Sequence, residues 1–155
     1  MIFNRFQTLV FIAGASIVLA SAVGVAKSAR SSERDAIRAS EVRQVQAALE
    51  MYFAEKNSYP VAGAGVILGS ANASCLGADG FGNNCASDRV YMPAVPGALA
   101  APGYVYVSRT ASGEICNEFP CAAYAIQFIQ EKKRGLLSKG ANCARYDATT
   151  SGRCR

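Results

Sequence analysis

The chain contains no histidine and no tryptophan among its 155 residues. The missing histidine removes the commonest general base and the commonest metal-binding side chain of proteins. No glycine-rich phosphate loop follows a predicted strand, and no carboxylate pair lies in a pocket-like context. A cysteine nucleophile would need a partner base, which the sequence does not offer. We therefore predict a protein that is not an enzyme, binds no metal and uses no cofactor.

Cysteine, by contrast, is abundant for so short a chain, with six residues. An even, dense set indicates three disulfides formed in an oxidising compartment. The alternative, six reduced and buried thiols, is disfavoured because the cysteines lie in loops rich in glycine, asparagine and alanine. Their spacings lack the paired short intervals of zinc sites. Six cysteines can pair in many ways, and we favour the three pairs of sequence neighbours: Cys75 with Cys85, Cys116 with Cys121, and Cys143 with Cys154.

An apolar run without an ionisable residue extends from Phe6 to Val25. Its length as a helix, about 30 Å, matches the hydrocarbon core of a bilayer. Its many alanine, glycine and serine residues suit close packing of helices in lipid. The rival interpretation is a cleaved secretory signal with Ala20-Ser21-Ala22 as the cleavage site. We predict a membrane-spanning segment, residues 1–26, that stays attached to the chain.

The charges that flank this run raise a conflict about orientation. Lys27 and the arginines after it outnumber Arg5 in front of it, which by the positive-inside rule places the C-terminal side in the cytoplasm. Paired cysteines require an oxidising side instead. We therefore predict that the head lies on the extracytoplasmic side of the membrane.

Residues 27–57 have the pattern of an amphipathic helix. Apolar residues recur at three- and four-residue steps and define one stripe, which comprises Ile37, Val42, Val45, Leu49 and Tyr52. The sequence Asn57-Ser58-Tyr59-Pro60 ends the helix, because proline cannot continue it. A charged set lies on the same segment and indicates either a solvated face or a contact with a neighbouring subunit: Arg30, Glu33, Arg34, Arg38 and Glu41.

Residues 58–155, the head, are rich in loops and carry two clear strand patterns. Residues 104–108 and 124–129 alternate aromatic and β-branched side chains and predict an antiparallel pair. Residues 66–68 and 89–92 are weaker strand candidates. The stretch from Cys75 to Cys85 is rich in glycine and asparagine, so we expect it to bury little. The predicted fold class is α+β, with a long N-terminal membrane-spanning and amphipathic helix followed by a small antiparallel β-sheet head.

The residues from Arg38 to Phe53, followed by Asn57-Ser58-Tyr59-Pro60, resemble the corresponding part of type IV pilins. The similarity extends to the major pseudopilin of type II secretion and related pilin-like proteins. One difference concerns the glutamate that the family carries at the fifth mature position. Counting from Phe3 places Gln7 there, and counting from Met1 places Arg5. The resemblance implies a structural subunit of a type IV pilus-like or pseudopilus filament. It also implies a head that is either held at the inner membrane or presented at the cell surface in an extracellular filament.

Such a subunit would use two sets of residues and three kinds of partner. Its partners would be copies of itself, the membrane before assembly, and a pilus or secretion assembly machinery; we do not expect nucleic acid. Charge pairing between subunits would use the charged set. Helix–helix assembly would use Phe6, Leu9, Phe11, Ile12, Gly14, Ile17, Leu19, Ala20 and Val23.

A binding module is the alternative function. The net charge is +5, and the C-terminal half is basic. Such a head, secreted or anchored to a membrane, could contact a surface, a glycan or DNA, and DNA contact would be salt-sensitive.

Overall fold

The computed structural model describes residues 5–85, 89–97 and 103–154, with the backbone alone described for residues 5–26. Within these residues one helix, α1 (Arg5–Lys56), precedes eight short strands. The chain divides into two compact units, Met1–Arg34 and Asp35–Arg155. The α+β class with an N-terminal helix and antiparallel sheets is confirmed.

The helix α1 is 52 residues long and ends at Lys56. Asn57 follows with a positive φ of 53°, and its N–H donates to the Phe53 carbonyl oxygen at 2.8 Å. Asparagine is one of the few residues that adopts this left-handed conformation readily, so it caps the helix. Among the residues described with their side chains, no helix is long and apolar enough to cross a membrane. The predicted span, Phe6 to Val25, lies outside those residues.

In the second unit, one face of α1 is buried in the core. Val42, Val45 and Leu49 are at most 2% exposed, and Tyr52 is also buried on this face. The prediction for Ile37 was wrong, since this residue is 40% exposed. It precedes Val42 by five residues, which rotates it by about 140° away from the stripe.

The strands of the described residues form two antiparallel sheets. The larger sheet has the order β1-β5-β6-β7-β8, and its strands are β1 (Val66–Ile67), β5 (Val105–Arg109), β6 (Ala123–Gln130), β7 (Gly140–Arg145) and β8 (Thr149–Ser151). The smaller sheet has the order β3-β2-β4, and its strands are β2 (Cys75–Gly77), β3 (Gly80–Gly82) and β4 (Val90–Met92).

The predicted pairing of the two aromatic strands is confirmed. Strands β5 and β6 run antiparallel, in a register that joins Val105 to Gln127 and Arg109 to Ala123. Alternate side chains point to one face of the sheet and are buried in the same core cluster as the α1 stripe. Those side chains are Tyr104, Tyr106, Tyr124, Ile126 and Phe128.

The expectation that residues 75–85 bury little was wrong. Strands β2 and β3 form a hairpin in which Leu76 is 0% exposed. Leu76 pairs with Phe81 on one side and Met92 on the other, so it lies on the central strand of the small sheet. Gly80 has a φ of +99°, a conformation that glycine adopts without steric cost. Glycine therefore serves here to make a tight turn in a structured segment.

Candidate assembly site

The sequence-predicted assembly residues divide between the two units of the chain. The nine apolar residues from Phe6 to Val23 belong to the first unit, and their side chains lie outside the described residues. Arg30, Glu33 and Arg34 also belong to the first unit and are exposed. The remaining two charged residues, Arg38 and Glu41, belong to the second unit.

Both charged residues of the second unit have partners within the chain. Arg38 Nη1 lies 3.0 Å from Asp35 Oδ1 and 3.0 Å from Glu131 Oε1. A carboxylate oxygen of Glu41 accepts a hydrogen bond from the Tyr104 hydroxyl. These contacts attach the helix to its own head, so Arg30, Glu33 and Arg34 of the first unit remain the residues predicted to pair with a second subunit.

Asp35, which sequence analysis did not single out, is a central polar contact of the second unit. Its side chain is almost fully buried, with the residue 1% exposed. The Glu131 N–H donates to both carboxylate oxygens, at 2.9 and 3.1 Å, and the Lys132 N–H donates to Oδ2 at 2.8 Å. Together with Arg38, these donors compensate the cost of burying a carboxylate. One signal was available: Asp35 precedes Val42 by seven residues, which places it on the buried stripe.

Tyrosine hydroxyls of the head donate to two further carboxylates of α1. The Tyr59 hydroxyl lies 3.0 and 3.2 Å from the oxygens of Glu50, and the Tyr124 hydroxyl lies 3.5 Å from Glu50 Oε1. Burial, and then the hydrogen bond to Glu50, raise the pKa of Tyr59. Burial and Glu41 raise the pKa of Tyr104 in the same way. These hydroxyls therefore stay protonated and act as donors at neutral pH.

The end of α1 is fixed to the β5–β6 connection by backbone contacts. The Tyr59 N–H donates to the Cys121 carbonyl oxygen at 2.8 Å, and the Cys121 N–H donates to Ser58 Oγ at 2.7 Å. The Tyr106 hydroxyl donates to the Pro60 carbonyl oxygen at 2.8 Å. The Tyr-Pro sequence after the helix thus serves as an attachment point between helix and sheet.

Three disulfides close the loops of the head. They join Cys75 to Cys85, Cys116 to Cys121 and Cys143 to Cys154, the three pairs of sequence neighbours that the sequence favours. The first closes the small sheet, the second the β5–β6 connection, and the third the segment that contains β8.

Comparison with protein-family models, with curated proteins and with solved structures finds no match to this chain. Across the described residues, no group of three or more cysteine, aspartate or glutamate side chains is placed to hold a metal ion. A function must therefore be argued from the chain's own residues and contacts.

Proposed function

We propose that this protein is a structural subunit of a type IV pilus-like or pseudopilus filament, assembled by packing of its N-terminal helices. The observation that carries the proposal is that α1 is divided between the two compact units of the chain. The helix extends over 52 residues, yet only the part from Asp35 onward belongs to the head-containing unit. We infer that the part of α1 before Asp35 is the part that contacts other copies.

The sequence of that second part supports assembly through lipid exchange. The uncharged run from Phe6 to Val25 would lie in the membrane before assembly, with the head on the extracytoplasmic side. In the filament, helices of neighbouring copies would replace the lipid around it. Close packing at small residues such as Gly14 and Ala20 would supply the contact, since apolar burial alone does not favour protein over lipid.

Exposed charges would then set the register between copies. Arg30 and Glu33 are exposed and lie just beyond the apolar run. An exposed ion pair contributes only about 0–1 kcal/mol, so it adds little affinity. Charge complementarity nevertheless excludes wrong alignments, because like charges brought together repel. Repeated at every subunit, this selection would favour one helical arrangement.

The construction of the head fits a subunit under mechanical load. Force applied to α1 would reach the head through the buried stripe and through the carboxylates of Asp35, Glu41 and Glu50. The three disulfides cross-link residues of the head that are 5 to 11 positions apart in sequence. Each contributes about 2–4 kcal/mol by the chain-entropy account.

The proposal is tested with full-length protein purified in a mild detergent. We expect filaments in electron micrographs after detergent removal, and intact mass spectrometry should find the apolar segment retained. Leu9→Arg should abolish filaments while near-ultraviolet circular dichroism reports an unchanged head. Wild-type protein that stays monomeric after detergent removal, or a mature chain that lacks the apolar run, would refute the proposal.

Charge-reversal variants test whether Arg30 and Glu33 set the register between subunits. Arg30→Glu and Glu33→Arg should each lower filament yield, and the double variant that exchanges the two charges should recover it. Arg153→Glu is the matched control, because Arg153 is an exposed arginine of the head. A loss for Arg153→Glu as large as that for Arg30→Glu would show that net charge, and not pairing, governs assembly.

A further inference from the structure

A cationic notch lies on the large sheet, on the face opposite the buried tyrosines. Arg109 ends β5 and pairs with Ala123 of β6, while Arg145 ends β7 and pairs with Ala125 of β6. Ala123 and Ala125 are two residues apart on one strand, so their side chains and those of their cross-strand partners share a face. The two arginines therefore flank a floor of two small side chains. We call this site the arginine notch.

The notch is a small cavity with a mixed polar lining. Its volume is about 180 Å³, below the 300–1,000 Å³ or so of pockets for drug-sized ligands. Besides the arginines and alanines, the residues that line it include Thr110, Ser112, Tyr124, Tyr146 and Asp147. The volume suits one small unit or the end group of a chain, and it excludes an extended ligand.

One donor in the notch is buried without a partner. Arg109 Nη1 donates to the Gly113 carbonyl oxygen at 2.6 Å, which fixes the guanidinium. Arg109 Nε is buried and makes no hydrogen bond. A buried donor left without an acceptor costs about 1–3 kcal/mol. Because Nε is out of reach of solvent, a ligand in the notch would bond to the outer N–H groups of the guanidinium.

The charges of the notch are suited to an anion with one negative charge. Within the described part of the chain, neither Arg109 nor Arg145 forms an ion pair. Since Asp147 also lies in the lining, the two arginines and this aspartate give the notch a net charge of +1. A carboxylate is balanced by that charge and matches the donor geometry of a guanidinium. A phosphate dianion would leave the notch with a net charge of −1.

The remaining lining residues favour a sugar as the carrier of the carboxylate. Tyr146 is 54% exposed, and such an amphipathic ring can contact the C–H face of a sugar. Asp147 and the hydroxyls of Thr110 and Ser112, which lie 2.8 Å apart, can bond sugar hydroxyls. We propose that the arginine notch binds a carboxylated monosaccharide unit, free or at the end of an acidic glycan. The proposal is independent of filament assembly.

The test is a titration of the full-length protein in detergent, followed by NMR of the arginine Nε–H groups. The probes are glucuronate, glucose and inorganic phosphate. Glucuronate should shift the Arg109 Nε–H signal saturably, and the other two probes should bind at least about tenfold more weakly. If glucose bound as tightly as glucuronate, the carboxylate would have no role in binding. If phosphate bound more tightly than glucuronate, the assignment to an acidic sugar would be wrong.

Two substitutions locate the binding. Arg145→Gln should weaken glucuronate binding about tenfold, the loss expected for one charge-assisted hydrogen bond. This variant should fold, since the Arg145 residue is exposed and its backbone oxygen still accepts from Gln46 Nε2 at 2.9 Å. Arg153→Gln is the control and should leave binding unchanged. Equal weakening by both substitutions would mean attraction to the basic surface and no defined site.

Discussion

Replacing the buried carboxylate of Asp35 should destabilise the second unit more than any other single change to a polar residue of α1. Asp35→Ala removes the acceptor for the N–H groups of Glu131 and Lys132 and one of the two carboxylates beside Arg38. Arg38 keeps the second carboxylate, on Glu131. The main cost therefore lies in the backbone donors that lose their acceptor.

The magnitude follows from these contacts. A buried donor left without an acceptor costs about 1–3 kcal/mol, and breaking a buried ion pair costs about 3–5 kcal/mol. Because Arg38 retains Glu131, the ion-pair cost is largely avoided, and the two backbone donors, at about 1–3 kcal/mol each, lead us to expect about 3–4 kcal/mol for Asp35→Ala. Asp35→Asn keeps the shape of the side chain and one acceptor oxygen, but its NH₂ group faces a backbone N–H donor. We therefore expect this variant to lose about 2 kcal/mol of the free energy of unfolding. Against a typical total of about 5–15 kcal/mol, either loss is large.

Urea unfolding of the full-length protein in detergent measures the effect, with disulfides intact. Because tryptophan is absent, tyrosine circular dichroism reports the core. The control is Glu33→Ala, an exposed acid on the same helix, for which we expect a change within about 0.5 kcal/mol. Hydrogen exchange at the Lys132 N–H should accelerate in Asp35→Ala alone. A loss below about 1 kcal/mol, with exchange unchanged, would refute the role assigned to Asp35.

Three further outcomes are expected from the same contacts. Tyr104→Phe should cost about 1.5–3 kcal/mol in urea unfolding, because it removes the donor to Glu41. Burial raises the pKa of Tyr106 and Tyr124 above that of an unfolded tyrosine, about 10. Above about pH 10 the unfolded chain therefore releases protons that the folded chain keeps. The free energy of unfolding should then fall by about 1.4 kcal/mol per pH unit for each such proton. Urea midpoints across alkaline pH measure this, and a flat profile would contradict it. Replacing Cys75 and Cys85 together by serine should cost about 2–3 kcal/mol. The same replacement of Cys116 and Cys121 should cost less, because that disulfide spans 5 residues and the first spans 10.

Local patterns were enough to predict part of this fold. Residues 104–108 alternate between buried and partly exposed side chains, and alternation is the signature of a strand with one buried face. In β6 the residues Tyr124, Ile126 and Phe128 repeat this spacing. The end of α1 has a proline shortly beyond it, which no helix interior tolerates. The pairs of neighbouring cysteines enclose short loops, which the chain closes at little entropic cost. Each of these signals lies within a few residues of the structure that it specifies.

The features that were missed depend on residues far apart in sequence. Asp35 is bonded to backbone groups 96 and 97 residues away, and no window of the sequence contains both partners. The arginine notch depends on the register of β5, β6 and β7, because Arg109 and Arg145 come close together only through their pairing with neighbouring residues of β6. Leu76 looks exposed in a glycine-rich context until β3 and β4 pair on both sides of it.

In the proposed filament subunit, an apolar stripe alone would not fix the position of the head on α1. Hydrophobic burial is not directional, so the stripe would tolerate a helix that slides by one turn along the sheet. Asp35, Glu41 and Glu50 span about 22 Å of helix and bond to separate parts of the head. A slide would leave the partners of all three carboxylates unsatisfied at once, at about 1–3 kcal/mol each. The head is thereby fixed in one position on its helix, and a polymer needs this because an error in one subunit is repeated in every copy.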